Sequence, residues 1–224
     1  MTDSRIALIH ATQLAVEPVT TAFASFWPQA QCMNLLDDML SVDLAKAGSL
    51  NESMTQRMVT LARYAKACGA QGILFTCSAF GPAIDKARLE LGIPTFKPNE
   101  AMFDAALLHC AGLGRESRIG LLTTFAPAAA SMAEELQLAI QQSGLKIRIE
   151  GSCASDAMSA LNAGDSTTHD ALIVESAKKM TACDVLLLGQ FSMARAKTRV
   201  EAGTGIPTLS SPESAVKRLM AELN

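Results

Sequence analysis

The feature that most constrains the fold is an internal repeat with a constant spacing. Three pairs of segments match along the chain, beginning at residues 5, 72 and 92 of the first copy: RIALIHAT with RIGLLTTF, GILFTCSAF with VLLLGQFSM, and GIPTF with GIPTL. Each residue of the second copy lies 113 positions after its partner, with no net insertion between the three anchors. The sequence therefore predicts two pseudosymmetric lobes that share one internal topology.

Within each copy, short apolar runs alternate with segments of helical length. Strands are predicted at 5–10, 31–36, 72–76 and 93–96, and again at 118–123, 145–150, 184–188 and 206–209. Helices are predicted at 13–27, 53–68, 80–91, 99–112, 126–143, 169–181, 192–203 and 212–223, and polar loops at 41–52 and 152–170. Helix-length connections between buried strands indicate an α/β fold in which each lobe is a mainly parallel sheet flanked by helices.

The repeat also predicts the domain boundaries and the place of the active site. We expect residues 1–98 to form lobe A, completed by the C-terminal helical segment 209–224, and residues 99–208 to form lobe B. Ligands of parallel α/β sheets bind outside the carboxyl ends of the strands. The active site is therefore expected in the cleft between the two lobes.

Charge and hydropathy exclude several classes of function. The 224-residue chain has a net charge of −3 and no cluster of Lys and Arg, whereas a nucleic-acid surface requires a basic patch. No apolar run approaches the roughly 18–20 residues of a membrane span, and the N-terminal segment does not have the pattern of a signal peptide. We therefore expect a cytoplasmic protein with neither a nucleic-acid nor a membrane partner. A homodimer or a higher homo-oligomer stays compatible with the sequence.

The six cysteines argue for free thiols. They contain no CxxC pair and have no neighbouring pair of histidines, so neither a zinc site nor a disulfide framework is indicated. Cys77 stands out, because it lies where a predicted buried strand gives way to a helix, at the carboxyl edge of the sheet. Backbone N–H groups at a helix start favour the thiolate form. Its partner in the second copy is Gln190.

The duplicated layout, ILFTCSAFG and the GIPT after a helix in each copy together resemble the aspartate/glutamate racemase superfamily. That superfamily includes aspartate, glutamate and hydantoin racemases, maleate isomerase and arylmalonate decarboxylase. The resemblance covers essentially the whole chain, and its most specific motif is the triplet Thr76-Cys77-Ser78. It implies proton transfer at a carbon next to a carboxylate, without metal or cofactor, by two cysteines on opposite faces of the substrate. Cys77 matches the first of these cysteines.

The second cysteine of the family pattern is absent. The family typically has GCT where this chain has Gly189-Gln190-Phe191, and a carboxamide has no pKa suited to proton transfer. Three alternatives follow: another residue is the second base, a single thiol performs a different reaction, or the protein binds a small acid without catalysis. For the second base, His169 precedes the strand that ends near Gln190, and His10 ends the first strand.

The resemblance further implies a small carboxylic-acid or amino-acid ligand, held by hydroxyls and N–H groups at the strand ends. The candidate binding residues are Thr76, Ser78, Thr12, Thr123, Thr124, Gln190, Phe191 and Ser192. The first hypothesis is a cofactor-independent isomerase of the amino-acid racemase type, with Cys77 as base or nucleophile. The alternatives are a single-cysteine lyase, such as a decarboxylase, and a non-catalytic protein that binds a small acid.

Overall fold

The computed structural model describes residues 4–223. Its strands are β1 Arg5–His10, β2 Gln31–Leu36, β3 Gly72–Phe75, β4 Thr95–Phe96, β5 Ser117–Thr123, β6 Ile147–Cys153, β7 Val185–Leu188 and β8 Thr208–Ser210. Its helices are α1 Val16–Phe26, α2 Met39–Ala47, α3 Glu52–Ala67, α4 Gly81–Leu91, α5 Glu100–Leu113, α6 Ala126–Ser143, α7 Ser155–Asn162, α8 Ser166–Ala177, α9 Lys197–Thr204 and α10 Ser211–Leu223. Short 3-10 turns, Gln13–Ala15, Ser78–Phe80 and Phe191–Ala196, precede α1, α4 and α9.

The eight strands form two parallel sheets with the same topology. The strand order is β2-β1-β3-β4 in one sheet and β6-β5-β7-β8 in the other. The register repeats as well, because Ile9 pairs with Phe75 in the first sheet and Leu122 pairs with Leu188 in the second. Each of these residues lies 113 positions from its counterpart. The predicted α/β fold, with two parallel sheets flanked by helices, is confirmed.

The chain divides into two compact units. The first contains the described residues up to Glu100 and from Ala215 onward, and the second contains Ala101–Ser214. The end of α10 packs in the first unit, since a Cβ added to Gly72 would lie 3.0 Å from Leu219 and 3.1 Å from Leu223.

The central strands are buried along their whole length. Every residue of β3 and of β7 is buried, because helices cover both faces of each sheet. Helices α3 and α4 pack on one face of the first sheet, where Ile9, Ile73 and Phe75 join a single apolar cluster. No helix of residues 4–223 has the length and the apolar character needed to cross a membrane.

Two segments expected to be polar loops contain helices. Residues 41–52 overlap α2, which buries Leu40, packs Leu44 against the first unit's core and ends at Gly48 in the left-handed conformation. Residues 152–170 contain α7, which packs along α8 and buries Ala157. Both helices are short and bury few apolar side chains, so their sequences do not show the apolar spacing by which a helix is recognised.

Candidate active site

Cys77 lies immediately after β3, a central strand of the first sheet. It precedes the 3-10 turn Ser78–Phe80 and has an extended backbone, with φ −128° and ψ 116°. The side chain is partly buried against the first unit's core, while Ser78 beside it is partly exposed and Ala79 is exposed. The thiol is therefore located at the carboxyl edge of the sheet, at the border between core and solvent.

The environment of Cys77 keeps the thiol protonated. Burial raises the pKa of the Cys77 thiol above its ordinary value, and the Ala79 N–H that donates to the sulfur opposes this shift only in part. The N–H at the start of the turn favours the thiolate as expected, but burial has the larger effect. Removing the sulfur from water disfavours its charged form more than one N–H dipole stabilises it. A thiolate formed here is rarer than an exposed one but is a stronger base.

Thr76, next to Cys77, belongs to a buried chain of hydrogen bonds that joins three strands. His10 Nδ1 lies 2.9 Å from Thr76 Oγ1, and His10 Nε2 lies 2.9 Å from Asn34 Oδ1. Because the Asn34 carbonyl accepts, Nε2 carries the ring proton and Nδ1 accepts from the Thr76 hydroxyl. That hydroxyl is 3.4 Å from the Ile9 carbonyl, so the bond to the histidine is the shorter one.

These hydrogen bonds give His10 a positioning role. The ring is fully buried, and burial lowers the pKa of His10, an effect that the hydrogen bond to Asn34 only partly offsets. Both ring nitrogens already have partners, so the neutral ring has no free lone pair for a substrate. His10, predicted as a catalytic candidate, instead fixes Thr76 and the strand end that bears Cys77.

The corresponding edge of the second unit is built around Gln190. Its Oε1 accepts a hydrogen bond of 2.8 Å from the Thr124 backbone N–H and lies 3.4 Å from the Thr124 hydroxyl. Gly189 before it leaves no room for a side chain, since an added Cβ would lie 2.6 Å from Met132 Cε and 3.0 Å from the Leu122 carbonyl oxygen. The Gln190 amide nitrogen is buried and has no hydrogen-bond partner within residues 4–223.

His169 lies in the first turn of α8, which Asp165 caps, and not in the preceding loop as expected. The ring is fully buried, with Nδ1 2.9 Å from Asp170 Oδ1. Arg195 Nε contacts the same carboxylate at 3.0 and 3.1 Å, which places the start of α8 beside the turn that follows β7. A carboxylate only accepts, so Nδ1 donates and Nε2 is the lone-pair nitrogen of the neutral ring. That Nε2 is also buried without a partner among the described residues.

The remaining predicted binding residues occupy ordinary positions at the strand ends. Thr12 caps the turn Gln13–Ala15 by accepting from the Leu14 N–H at 3.4 Å. The Thr123 hydroxyl lies 3.4 Å from the Ser152 carbonyl. Ser78 is partly exposed next to Cys77, whereas Phe191 and Ser192 are buried at the start of their turn.

Comparisons with known proteins place this arrangement in a family. The family model described as Asp/Glu/Hydantoin racemase matches residues 12–219. The chain belongs to the Asp/Glu/Hydantoin racemase family. The match includes residues of both units, and the predicted family is confirmed. No curated protein sequence matches the chain significantly.

Solved structures of the racemase family share the fold at low sequence identity. A glutamate racemase isoform from Bacillus anthracis is 15% identical with a TM-score of 0.70, covering 100% of this chain and 82% of its own. An aspartate racemase from Picrophilus torridus is 14% identical with a TM-score of 0.69, covering 98% and 94%. An allantoin racemase from Klebsiella pneumoniae is 14% identical with a TM-score of 0.67, covering 98% and 87%. At these identities the likeness defines the fold and not the substrate.

Two residues of the site were missed by the sequence analysis. Asn34 lies within β2 opposite Leu8, and from there it reaches His10 diagonally across the strands. A polar residue inside an otherwise apolar strand was the available signal. Asp170 follows His169 directly, and its partner Arg195 is 25 positions away, so only the fold brings the pair together. Among residues 4–223, no three His, Cys, Asp or Glu side chains are grouped to hold a metal ion.

Proposed function

We propose that the protein is a cofactor-independent racemase-type isomerase that acts at the carbon next to the carboxylate of a small acid, with Cys77 as the base. The observation that carries this proposal is the setting of the Cys77 thiol. It follows a central strand at the carboxyl edge, borders solvent, and is hydrogen-bonded by the Ala79 N–H. Its neighbour Thr76 is held in place by His10.

The partly desolvated thiol suits the removal of a weakly acidic proton. A proton next to a carboxylate is hard to abstract, and a base of raised pKa has a larger driving force for taking it. The cost is that a smaller share of the protein carries the thiolate at neutral pH. Turnover is therefore expected to rise with pH through the raised pKa of Cys77.

His169 is the second group that we propose for proton transfer. Racemisation requires a proton to return to the opposite face of the carbon, and the carboxamide of Gln190 cannot supply one. His169 can supply it in the imidazolium form, in which Nε2 carries a proton, and the neutral ring that remains has the Nε2 lone pair that takes the proton in the reverse direction. In both forms Nδ1 donates to Asp170, the arrangement in which a carboxylate orients a catalytic imidazole. His10 lacks a free ring nitrogen.

The test is hydrogen exchange in D₂O with a panel of single-enantiomer amino acids and small 2-substituted acids, followed by NMR and chiral chromatography. The wild-type protein should place deuterium at the α-carbon and invert it. Cys77→Ala should lower exchange by about 10²–10⁴-fold, the usual contribution of a general base. The matched control, Cys153→Ala, removes an exposed thiol and should leave the rate unchanged. Unchanged exchange in Cys77→Ala would refute the proposal.

His169→Gln separates the two proton-transfer groups, with His109→Gln on α5 as its control. If His169 serves the opposite face, its loss should reduce inversion more than exchange, because Cys77 still removes and returns a proton on one face. Equal inversion in both variants would remove His169 from the mechanism. Release of CO₂ without inversion would instead identify the single-cysteine decarboxylase.

A further inference from the structure

The Gln190 carboxamide is oriented by the protein through one of its two ends. The Thr124 backbone N–H is a donor, so the amide atom 2.8 Å away must be the oxygen. The Thr124 hydroxyl adds a longer contact of 3.4 Å to the same atom. The orientation of the amide plane is thereby set, and the NH₂ end is directed away from Thr124.

The NH₂ end of Gln190 has no hydrogen-bond partner in the described part of the chain. The Nε2 atom is buried, although the residue as a whole keeps some exposure. A buried donor without an acceptor destabilises the fold, and such groups in native proteins are uncommon. An unsatisfied donor at the carboxyl edge of a parallel sheet lies where ligands of this fold class bind.

We propose that Gln190 is a substrate-binding residue whose Nε2–H group donates to a carboxylate oxygen of the small acid. This inference rests on the proposed function, because it takes the acid named there as the ligand. The position that the family pattern gives to a second thiol is thereby used for binding instead of proton transfer.

The donor is pre-organised for a carboxylate, because the Thr124 N–H already fixes the opposite end of the amide. A hydrogen bond to an ionised carboxylate is shorter and stronger than one between neutral groups. The fixed amide therefore loses little conformational freedom when the acid binds.

The test measures ligand binding in a variant that lacks the proposed base, so that turnover does not interfere. In the Cys77→Ala protein, isobutyrate is titrated by NMR as the carboxylate probe and isobutyramide as its neutral counterpart. Gln190→Glu keeps the acceptor for the Thr124 N–H but replaces the NH₂ group by a negative oxygen. Isobutyrate should then bind about tenfold more weakly or worse, since a charge-assisted hydrogen bond becomes a repulsion. Isobutyramide, which can donate to the new carboxylate, should not weaken.

Gln137→Glu is the matched control, because it makes the same change of charge at an exposed site on α6. As a second measurement, the Gln190 side-chain amide resonances of the Cys77→Ala protein should shift on addition of isobutyrate, which requires no change at Gln190. Unchanged isobutyrate affinity in Gln190→Glu, or an amide signal that isobutyrate does not move, would overturn the inference.

The two proposals fail separately. Normal isobutyrate binding by Gln190→Glu, together with loss of exchange in Cys77→Ala, rejects the inference and keeps the function. Weakened binding by Gln190→Glu, together with unchanged exchange in Cys77→Ala, rejects the function and leaves Gln190 as a carboxylate-binding residue.

Discussion

The two units join the same pair of strand ends in different ways. In the first unit, a side-chain hydrogen bond from Thr76 to His10 links the ends of β3 and β1, and the next residue, Cys77, is left out of the link. In the second unit, Gly189 replaces Thr76, and Gln190 itself reaches the backbone of Thr124 after β5. In the first unit Thr76 makes the hydrogen bond, so the next residue is free to be a reactive thiol. In the second unit Gln190 makes the hydrogen bond itself, so only its NH₂ end is left for a ligand.

A second difference lies on the helices beside these edges, where equivalent positions have opposite charge. Arg57 on α3 binds Asp37 with two nitrogens, at 2.9 and 2.5 Å, and binds Asp43 at 2.6 Å. The residue 113 positions later is Asp170, which binds Arg195 and His169. The duplicated fold keeps a charged group at this place, while the second unit alone uses it to orient an imidazole.

The largest expected effect comes from giving the second unit a threonine at position 189, which is equivalent to Thr76 in the first unit. Gly189→Thr introduces a Cβ that would lie 2.6 Å from Met132 Cε and 3.0 Å from a backbone oxygen. We expect a loss of about 3 kcal/mol in the free energy of unfolding, the upper range for overpacking. Urea denaturation measures it, with Gly151→Thr as the control, because nothing lies within 4 Å of a Cβ at that strand position. Equal stability of the two variants would contradict the comparison.

Removing the first unit's link is expected to have the next largest effect. Thr76→Val leaves the buried Nδ1 of His10 without a donor and should cost about 2 kcal/mol of unfolding free energy. Thr123→Val, in the equivalent position to His10, loses only a contact of 3.4 Å and should cost about 0.5 kcal/mol. If both variants lost the same amount, the link would not be special to the first unit.

The thiol at the first edge can be compared with an exposed one by alkylation. Burial raises the pKa of Cys77, so at pH 8 its reaction with iodoacetamide should be about tenfold slower than that of Cys153. The sign follows from the thiolate, which is the reacting form and becomes rarer as the pKa rises. The rate at Cys77 should keep increasing as the pH is raised above 8, because its thiolate forms only at a more alkaline pH than usual. Peptide mass spectrometry over a pH series would show this, and a Cys77 rate at pH 8 equal to that of Cys153 would count against it.

The smallest effect is expected at the second unit's link. Thr124→Val removes the hydroxyl at 3.4 Å but keeps the backbone N–H that holds Gln190 at 2.8 Å. The unfolding free energy should fall by about 0.5 kcal/mol or less. A loss as large as that of Thr76→Val, measured in the same urea series, would mean that the hydroxyl and not the backbone orients Gln190.

The local sequence pattern predicted most of the fold. Buried parallel strands are short apolar runs, and the fixed offset of 113 means that each run can be compared with an equivalent one in the other copy. The predicted bounds of β1 and α6 agree with the structure at both ends. The helices α2 and α7 were missed because each buries only one side chain fully. Cys77 was found because a strand end followed by a turn is itself a local pattern.

The sequence by itself determined the duplicated α/β topology, the family resemblance and the strand edge that bears Cys77, because these depend on apolar spacing and on neighbouring residues. Only the tertiary structure decided what each polar side chain does. His10 reaches Thr76 across 66 positions and Asn34 across 24, and Gln190 reaches Thr124 across 66. Whether a side chain is satisfied within the protein or left open for a ligand depends on such distant partners, which no local pattern records.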